Sequence, residues 1–83
     1  MTSLRVGEVR FRIYPQDHPP RHVHGFIGAG SVIVDLRTDG TVGLADRSDA
    51  VRQVTRSEVR KVLEAAAEGF DQLIAAWEKM HDG

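Results

Sequence analysis

Alternating hydrophobic and polar positions predict a first β-strand over residues 8–14. In the sequence EVRFRIY every second residue is apolar, so one side of the extended chain is apolar and the other is polar. The apolar side comprises Val9, Phe11 and Ile13, and the polar side comprises Arg10, Arg12 and Tyr14. Pro15 follows and ends the strand, because proline has no N–H to donate to a neighbouring strand.

Two further strands are predicted at residues 22–27 and 31–36, joined by Gly28 and Ala29 in a two-residue type II′ turn. That turn pairs Ile27 with Gly30, Val23 with Val34, His24 with Ile33 and His22 with Asp35. A three-residue loop would instead place His24 beside Val34. We favour the two-residue turn because it collects the apolar residues on one face of the sheet. These residues are Val23, Ile27, Val32, Val34 and Leu36.

The second half of the chain predicts a short strand and then a helix. A turn at residues 38–40 leads to a fourth strand at 41–45, and the polar residues 46–54 are predicted to form a connecting loop. Thr55 and Glu58 have the spacing of a capping box, after which apolar residues recur every three or four positions to about residue 80. Gly69 interrupts this pattern and favours a kink.

These elements predict a single α+β domain over residues 1–83. Its antiparallel sheet is a meander of three to four strands, and one long C-terminal helix covers one face. The length of this helix leaves room for a contact with a second copy or a partner.

Composition narrows the classes of function. The 83 residues include no cysteine, and 11 basic residues nearly balance 12 acidic ones, for a net charge of −1. This balance disfavours tight, non-specific binding to nucleic acid, although a local basic patch remains compatible with it. No signal-peptide pattern or membrane-spanning run is recognisable, so we expect a cytoplasmic protein without membrane association.

Three of the four histidines lie within the segment DHPPRHVHG, residues 17–25. His22 and His24 are two apart on a strand and leave the same face, and His18 lies just upstream on a loop that two prolines stiffen. Asp17 could orient an imidazole, and Asp35 is predicted opposite His22. Such a set could bind zinc or another divalent ion through His18, His22 and His24, or supply a general acid and base near neutral pH.

Other side chains of this region have more than one interpretation. Arg10 and Arg12, on the polar face of the first strand, could bind an anion or could be solvated surface. The histidines could also be polar surface, with Asp17 closing a turn ahead of the prolines.

The sequence resembles a small bacterial family, domain of unknown function 4160. The resemblance runs from about Phe11 to Gly83. The segments that carry it are FRIYPQDHPPRHVHG, the VDL and VGLAD strands, and TRSEVRKVLEAAAEGFDQLIAAWEKMHDG with Trp77 near its end. The sequence departs from the family pattern at Arg21, where members often have proline, and at Gly69, where members often have histidine.

The resemblance implies a genomic context more than a reaction. Genes of this family commonly lie beside a second small gene, in an arrangement like that of toxin–antitoxin pairs. This implies a small protein partner. Our first hypothesis is therefore a component of such a two-gene module, which binds that partner and acts on nucleic acid without a cofactor. Its functional residues would be Asp17, His18, His22 and His24, with Arg10 and Arg12 as anion contacts. Two alternatives remain open: a divalent-metal-binding domain, and a structural dimer or adaptor without catalysis.

Overall fold

The computed structural model describes residues 2–81. Within this range the chain forms six strands followed by two helices. They are β1 (Thr2–Val6), β2 (Val9–Ile13), β3 (His22–Ile27), β4 (Gly30–Leu36), β5 (Val42–Leu44), β6 (Val51–Arg52), α1 (Arg56–Glu68) and α2 (Phe70–His81). The α+β class and the antiparallel sheet are therefore confirmed.

The sheet has more strands than the sequence pattern predicts. Its order is β1-β2-β3-β4-β5, all antiparallel, and β6 pairs with β4 alongside β5. β1 was not predicted, because its two partly buried hydrophobic residues, Leu4 and Val6, are too few to define a period. β6 lies within the predicted loop 46–54 and consists of two exposed residues. Only their pairing with Ser31 and Val32 makes them a strand.

The hairpin of β3 and β4 has the predicted register. Ile27 is opposite Gly30, His24 is opposite Ile33, and His22 is opposite Asp35. Gly28 has a φ of 56°, which is the positive value required at the first central position of a type II′ turn. Register fixes which face each side chain takes, so this turn places both histidines on the face opposite Val23.

The capping box at the start of α1 is also confirmed: Thr55 accepts from the N–H of Glu58, and the Glu58 carboxylate accepts from the N–H of Thr55. The prediction of a single long helix is wrong, because α1 ends at Glu68 and α2 begins at Phe70. Gly69 lies between them, and a Cβ at this position would be 2.9 Å from Cγ2 of Val6. The bend therefore lies where the chain packs against Val6 of β1.

Both helices pack on one face of the sheet and enclose the core. The apolar sides predicted for β2, β3 and β4 are all buried there, together with residues of both helices. The helical members of this core are Val62, Ala65, Ala66, Leu73 and Trp77. No helix within residues 2–81 is long and apolar enough to cross a membrane. The opposite face of β3 carries the histidines, and His22, at the start of the strand, also approaches Trp77 of the core.

Candidate metal centre

A tight turn after β2 places the Asp17 carboxylate back over the end of that strand. The N–H of Asp17 donates to the carbonyl of Tyr14 (3.1 Å), and the N–H of Tyr14 donates to Oδ2 of Asp17 (3.3 Å). Pro15 occupies the first central position of this turn, where its fixed φ is favourable. The first hydrogen bond closes the turn, and the second holds the carboxylate, whose oxygens lie toward the histidines of β3.

A backbone carbonyl determines the orientation of His22. Its Nδ1 lies 3.0 Å from the carbonyl oxygen of Pro20. A carbonyl can only accept, so Nδ1 must carry the proton, and in the neutral ring Nε2 then has a free lone pair. Metal-ligating histidines are commonly oriented in this way, with the second ring nitrogen donating to a carbonyl or carboxylate.

The two histidines converge on Asp17. Nε2 of His22 lies 3.5 Å from Oδ1 of Asp17, and Nε2 of His24 lies 3.4 Å from Oδ2. One donor atom from each of the three residues lies within 4.8 Å of the others. With metal–ligand bonds of about 2.0–2.1 Å, the donor atoms around a tetrahedral zinc ion are roughly 3.3 Å apart. The spacing therefore fits a single metal ion with little rearrangement.

The hydrogen bonding of this cluster, which we call the His2Asp cluster (Asp17, His22, His24), is incomplete. Both Nε2 atoms are buried and have no hydrogen-bond partner among the described residues. The side chains are only 11–19% exposed, so bulk water does not compensate. When the His22 ring is neutral, its Nε2 and the nearby Asp17 oxygen are both acceptors, and a proton or a metal ion between them makes this contact favourable.

Burial lowers the pKa of His24 below its ordinary value of 6.5. The charges of His22 and Arg47 act in the same direction, while Asp17 acts in the opposite direction and is outweighed. His24 therefore stays neutral at physiological pH, and neutral imidazole is the form that binds metal ions.

An open cleft of about 370 Å³ lies beside the His2Asp cluster. Asp17 and His22 form part of its wall, together with His18, Asp35 and Arg47. His18 is exposed and lies outside the group of converging donors. Asp35 is directly opposite His22 as predicted, but it is also outside that group. A metal ion with three protein ligands would thus have a free coordination position near this cleft.

The two arginines predicted as anion contacts have different surroundings. Arg12 is opposite His24 in the sheet, and its guanidinium carbon lies 5.3 Å from the centre of the Phe26 ring. Its Nε atom is buried without a hydrogen-bond partner among the described residues. Arg10 is exposed at the next position on the same face, opposite Phe26. Both lie on the histidine face of the sheet, and their role as anion contacts stays a prediction.

The sequence pattern did not reveal the aromatic rings that surround the histidines. The Tyr14 ring meets the His24 ring edge-on at 4.9 Å, and Trp77 lies 5.5 Å from the His22 ring. His81 stacks on Trp77 at 3.8 Å, with its Nδ1 2.9 Å from the Trp77 carbonyl. The spacing of four residues between Trp77 and His81 on a helix signals their own contact, but not the approach of α2 to the histidines.

The fold and this site define a class: a small α+β domain whose sheet carries a buried His2Asp cluster beside an open cleft. The chain matches the family described as Domain of unknown function (DUF4160) over residues 9–78, and it belongs to that family. The match includes all three residues of the cluster. No curated protein and no solved structure matches the chain. The function must therefore be inferred from the site itself.

Proposed function

We propose that this protein binds one divalent transition-metal ion through Asp17, His22 and His24. The observation that carries the proposal is the contact between Nε2 of His22 and Oδ1 of Asp17. The Pro20 carbonyl requires a proton on Nδ1 of His22, so whenever the ring is neutral this buried contact joins two acceptors at 3.5 Å. Two imidazoles and a carboxylate suit zinc and iron(II), and also cobalt(II) or nickel(II) as probes.

The ligand set differs from the sequence-based alternative, which used His18, His22 and His24 with Asp17 or Asp35 as the carboxylate. His18 is exposed on the lip of the cleft, whereas Asp17 lies between the two converging Nε2 atoms. The proposed site therefore keeps Asp17, His22 and His24 and omits His18 and Asp35. His18 is left facing the cleft, where it can contact whatever occupies the free coordination position.

Three protein ligands and an adjacent cleft are typical of sites where a metal ion acts as a Lewis acid rather than as a structural cross-link. A zinc ion bound there would lower the pKa of a bound water to about 7 and supply a nucleophile at neutral pH. Within this proposal the protein residues hold the metal and shape the cleft. Cytoplasmic location, a partner encoded nearby and action on nucleic acid remain predictions.

The test is a titration of metal-free protein with zinc and with cobalt(II). Binding is monitored by calorimetry and by the fluorescence of the single tryptophan. Trp77 lies 5.5 Å from the His22 ring, so cobalt(II) bound at the cluster should quench its emission. We expect one ion per chain. At a free zinc concentration of about 100 times Kd, binding should stabilise the fold by about 2.7 kcal/mol. This corresponds to a rise in Tm of very roughly 10–20 °C for a domain of this size.

Three variants should lose the site, and one matched control should keep it. Asp17→Asn, His22→Gln and His24→Gln should each weaken zinc binding by at least about tenfold, since each removes one donor. His18→Gln removes a neighbouring imidazole outside the cluster and should leave affinity unchanged. Circular dichroism of the metal-free variants confirms that they fold. The proposal fails if wild-type protein binds no divalent transition-metal ion, or if His18→Gln weakens binding as much as His22→Gln.

A further inference from the structure

The outward side of α1 carries an apolar groove that no described residue covers. Its volume is about 450 Å³. The lining residues recur at spacings of three and four, which places them along one side of the helix. They are Arg56, Val59, Arg60, Leu63, Glu64 and Ala67. Val59 and Leu63 form its partly buried apolar floor, and the charged residues form its rim.

The apolar surface continues onto the neighbouring edge of the sheet. Leu44 and Val51 are 43% and 42% exposed, and they are the large hydrophobic residues that the described chain leaves exposed. Leu44 is opposite Val34 and Val51 is opposite Val32, whose side chains are buried on the helix-bearing face. Directly opposed residues point to the same face, so Leu44 and Val51 project on the side where α1 packs.

The groove lies on the flank of α1 that is nearer this edge. On the opposite flank, Lys61 forms an ion pair with Glu8 beside the turn between β1 and β2. The flank that carries Val59 and Leu63 is directed the other way, and α1 contacts β5. The helix groove and the exposed residues of the sheet edge thus belong to one side of the molecule.

The charges on the rim are ordered along the helix. Arg60 and Glu64 are one turn apart on the outer side of α1, with Glu64 between the groove and the flank of Lys61, and neither forms an ion pair with another described residue. A second α1 packed parallel would place Arg60 level with Arg60 and Glu64 level with Glu64. A second α1 packed antiparallel would place Arg60 of each copy level with Glu64 of the other. The charge order is therefore self-complementary for an antiparallel, two-fold arrangement only.

We propose that this face is the interface of a homodimer. Two copies of α1 pack antiparallel across a two-fold axis near Leu63, and the two Arg60–Glu64 pairs lie on either side of the axis. The partner is a second copy rather than an acidic or basic protein, because one helix already supplies both signs in complementary order. The His2Asp cluster is on the opposite face of the sheet, so dimerisation leaves both clusters accessible. This proposal is independent of metal binding.

The test is sedimentation equilibrium of the full chain from micromolar to millimolar concentration, with charge-reversal variants. Arg60→Glu and Glu64→Arg should each weaken dimerisation by at least about tenfold, because each places like charges together twice across the axis. The double variant R60E/E64R reverses both pairs and should restore the dimer to within about threefold of wild type. Arg5→Glu, which makes the same change of charge on the exposed side of β1, should have no effect.

Leu63→Glu gives a second measurement, since a charge beside the axis should abolish the dimer. Leu63 also packs against the core, so Leu63→Ala, which shortens the side chain without adding charge and should weaken the dimer less, is measured beside it. Circular dichroism of each variant verifies the fold. A wild-type chain that stays monomeric at millimolar concentration overturns the proposal. A dimer that Leu63→Glu does not weaken overturns it as well. So does a dimer that the single reversals weaken and the double variant does not restore.

Discussion

On one face of β3, Val23 and Ile27 are buried among apolar side chains. On the other face, His22 is almost as enclosed, yet it and His24 present ring nitrogens that have no hydrogen-bond partner among the described residues. The same strand backbone, paired in the same register, carries both sets of side chains. The difference lies in whether burial is compensated: apolar side chains gain from leaving water, whereas an unpaired ring nitrogen loses its hydration. The first face therefore stabilises the fold, whereas the second carries buried polar atoms whose lost hydration no described residue replaces.

The largest effect should come from the core face. Phe11 is fully buried on β2, and its ring lies against the position of Gly25 on β3. Phe11→Ala should lower the free energy of unfolding by about 3–5 kcal/mol, because it removes the ring and leaves a cavity. Urea denaturation followed by circular dichroism measures this loss. Arg10→Ala, at the neighbouring exposed position, should change stability by less than about 0.5 kcal/mol. Similar losses for the two variants would contradict the division into faces.

A smaller effect is expected at Gly25, where β3 passes beneath α1. A Cβ at this position would lie 2.6 Å from Cγ1 of Val62 and 3.0 Å from Cε1 of Phe11. Gly25→Ala should therefore cost about 1–3 kcal/mol by overpacking.

The same denaturation measurement should reveal a coupling between Gly25 and Val62. Val62→Ala removes the methyl group that the new Cβ would meet, so the double variant should be more stable than the sum of the single losses predicts. Simple additivity would show that β3 and α1 are not in close contact there.

The smallest effect concerns the histidine face of the metal-free protein. Burial lowers the pKa of His24 in the folded chain below its ordinary value of 6.5. At a pH between the folded-state pKa and 6.5, the unfolded chain therefore binds more protons than the folded chain. The contribution of His24 to stability is therefore complete above pH 6.5 and is lost as the pH falls toward the folded-state pKa. Denaturation in the presence of chelator at pH 7.5, 6.5 and 5.5 measures this slope. His24→Gln should make the slope shallower, and an unchanged slope would contradict the assignment.

The sequence alone predicted much of the core and the scaffold of the site. Period-two alternation identified the buried sides of β2, β3 and β4, because a residue on a strand must alternate between faces. The glycine of the turn set the register, and the register placed Asp35 opposite His22. The capping box located the start of α1, since both of its hydrogen bonds are local. Each of these features depends on residues close together in the chain or on a fixed geometric period.

What only the tertiary structure decided depends on contacts between distant segments. β1 and β6 exist because β2 and β4 supply their hydrogen bonds, and the division of the helix at Gly69 occurs where the chain meets Val6. The same holds for the site. His18, His22 and His24 are close in sequence, yet the turn at Tyr14–Asp17 brings Asp17 between the two converging rings and leaves His18 on the lip of the cleft. Helix α2 then places Trp77 beside His22, fifty-five positions earlier in the chain. A sequence pattern records which side chains share a face, but it does not record which of them the loops bring within bonding distance.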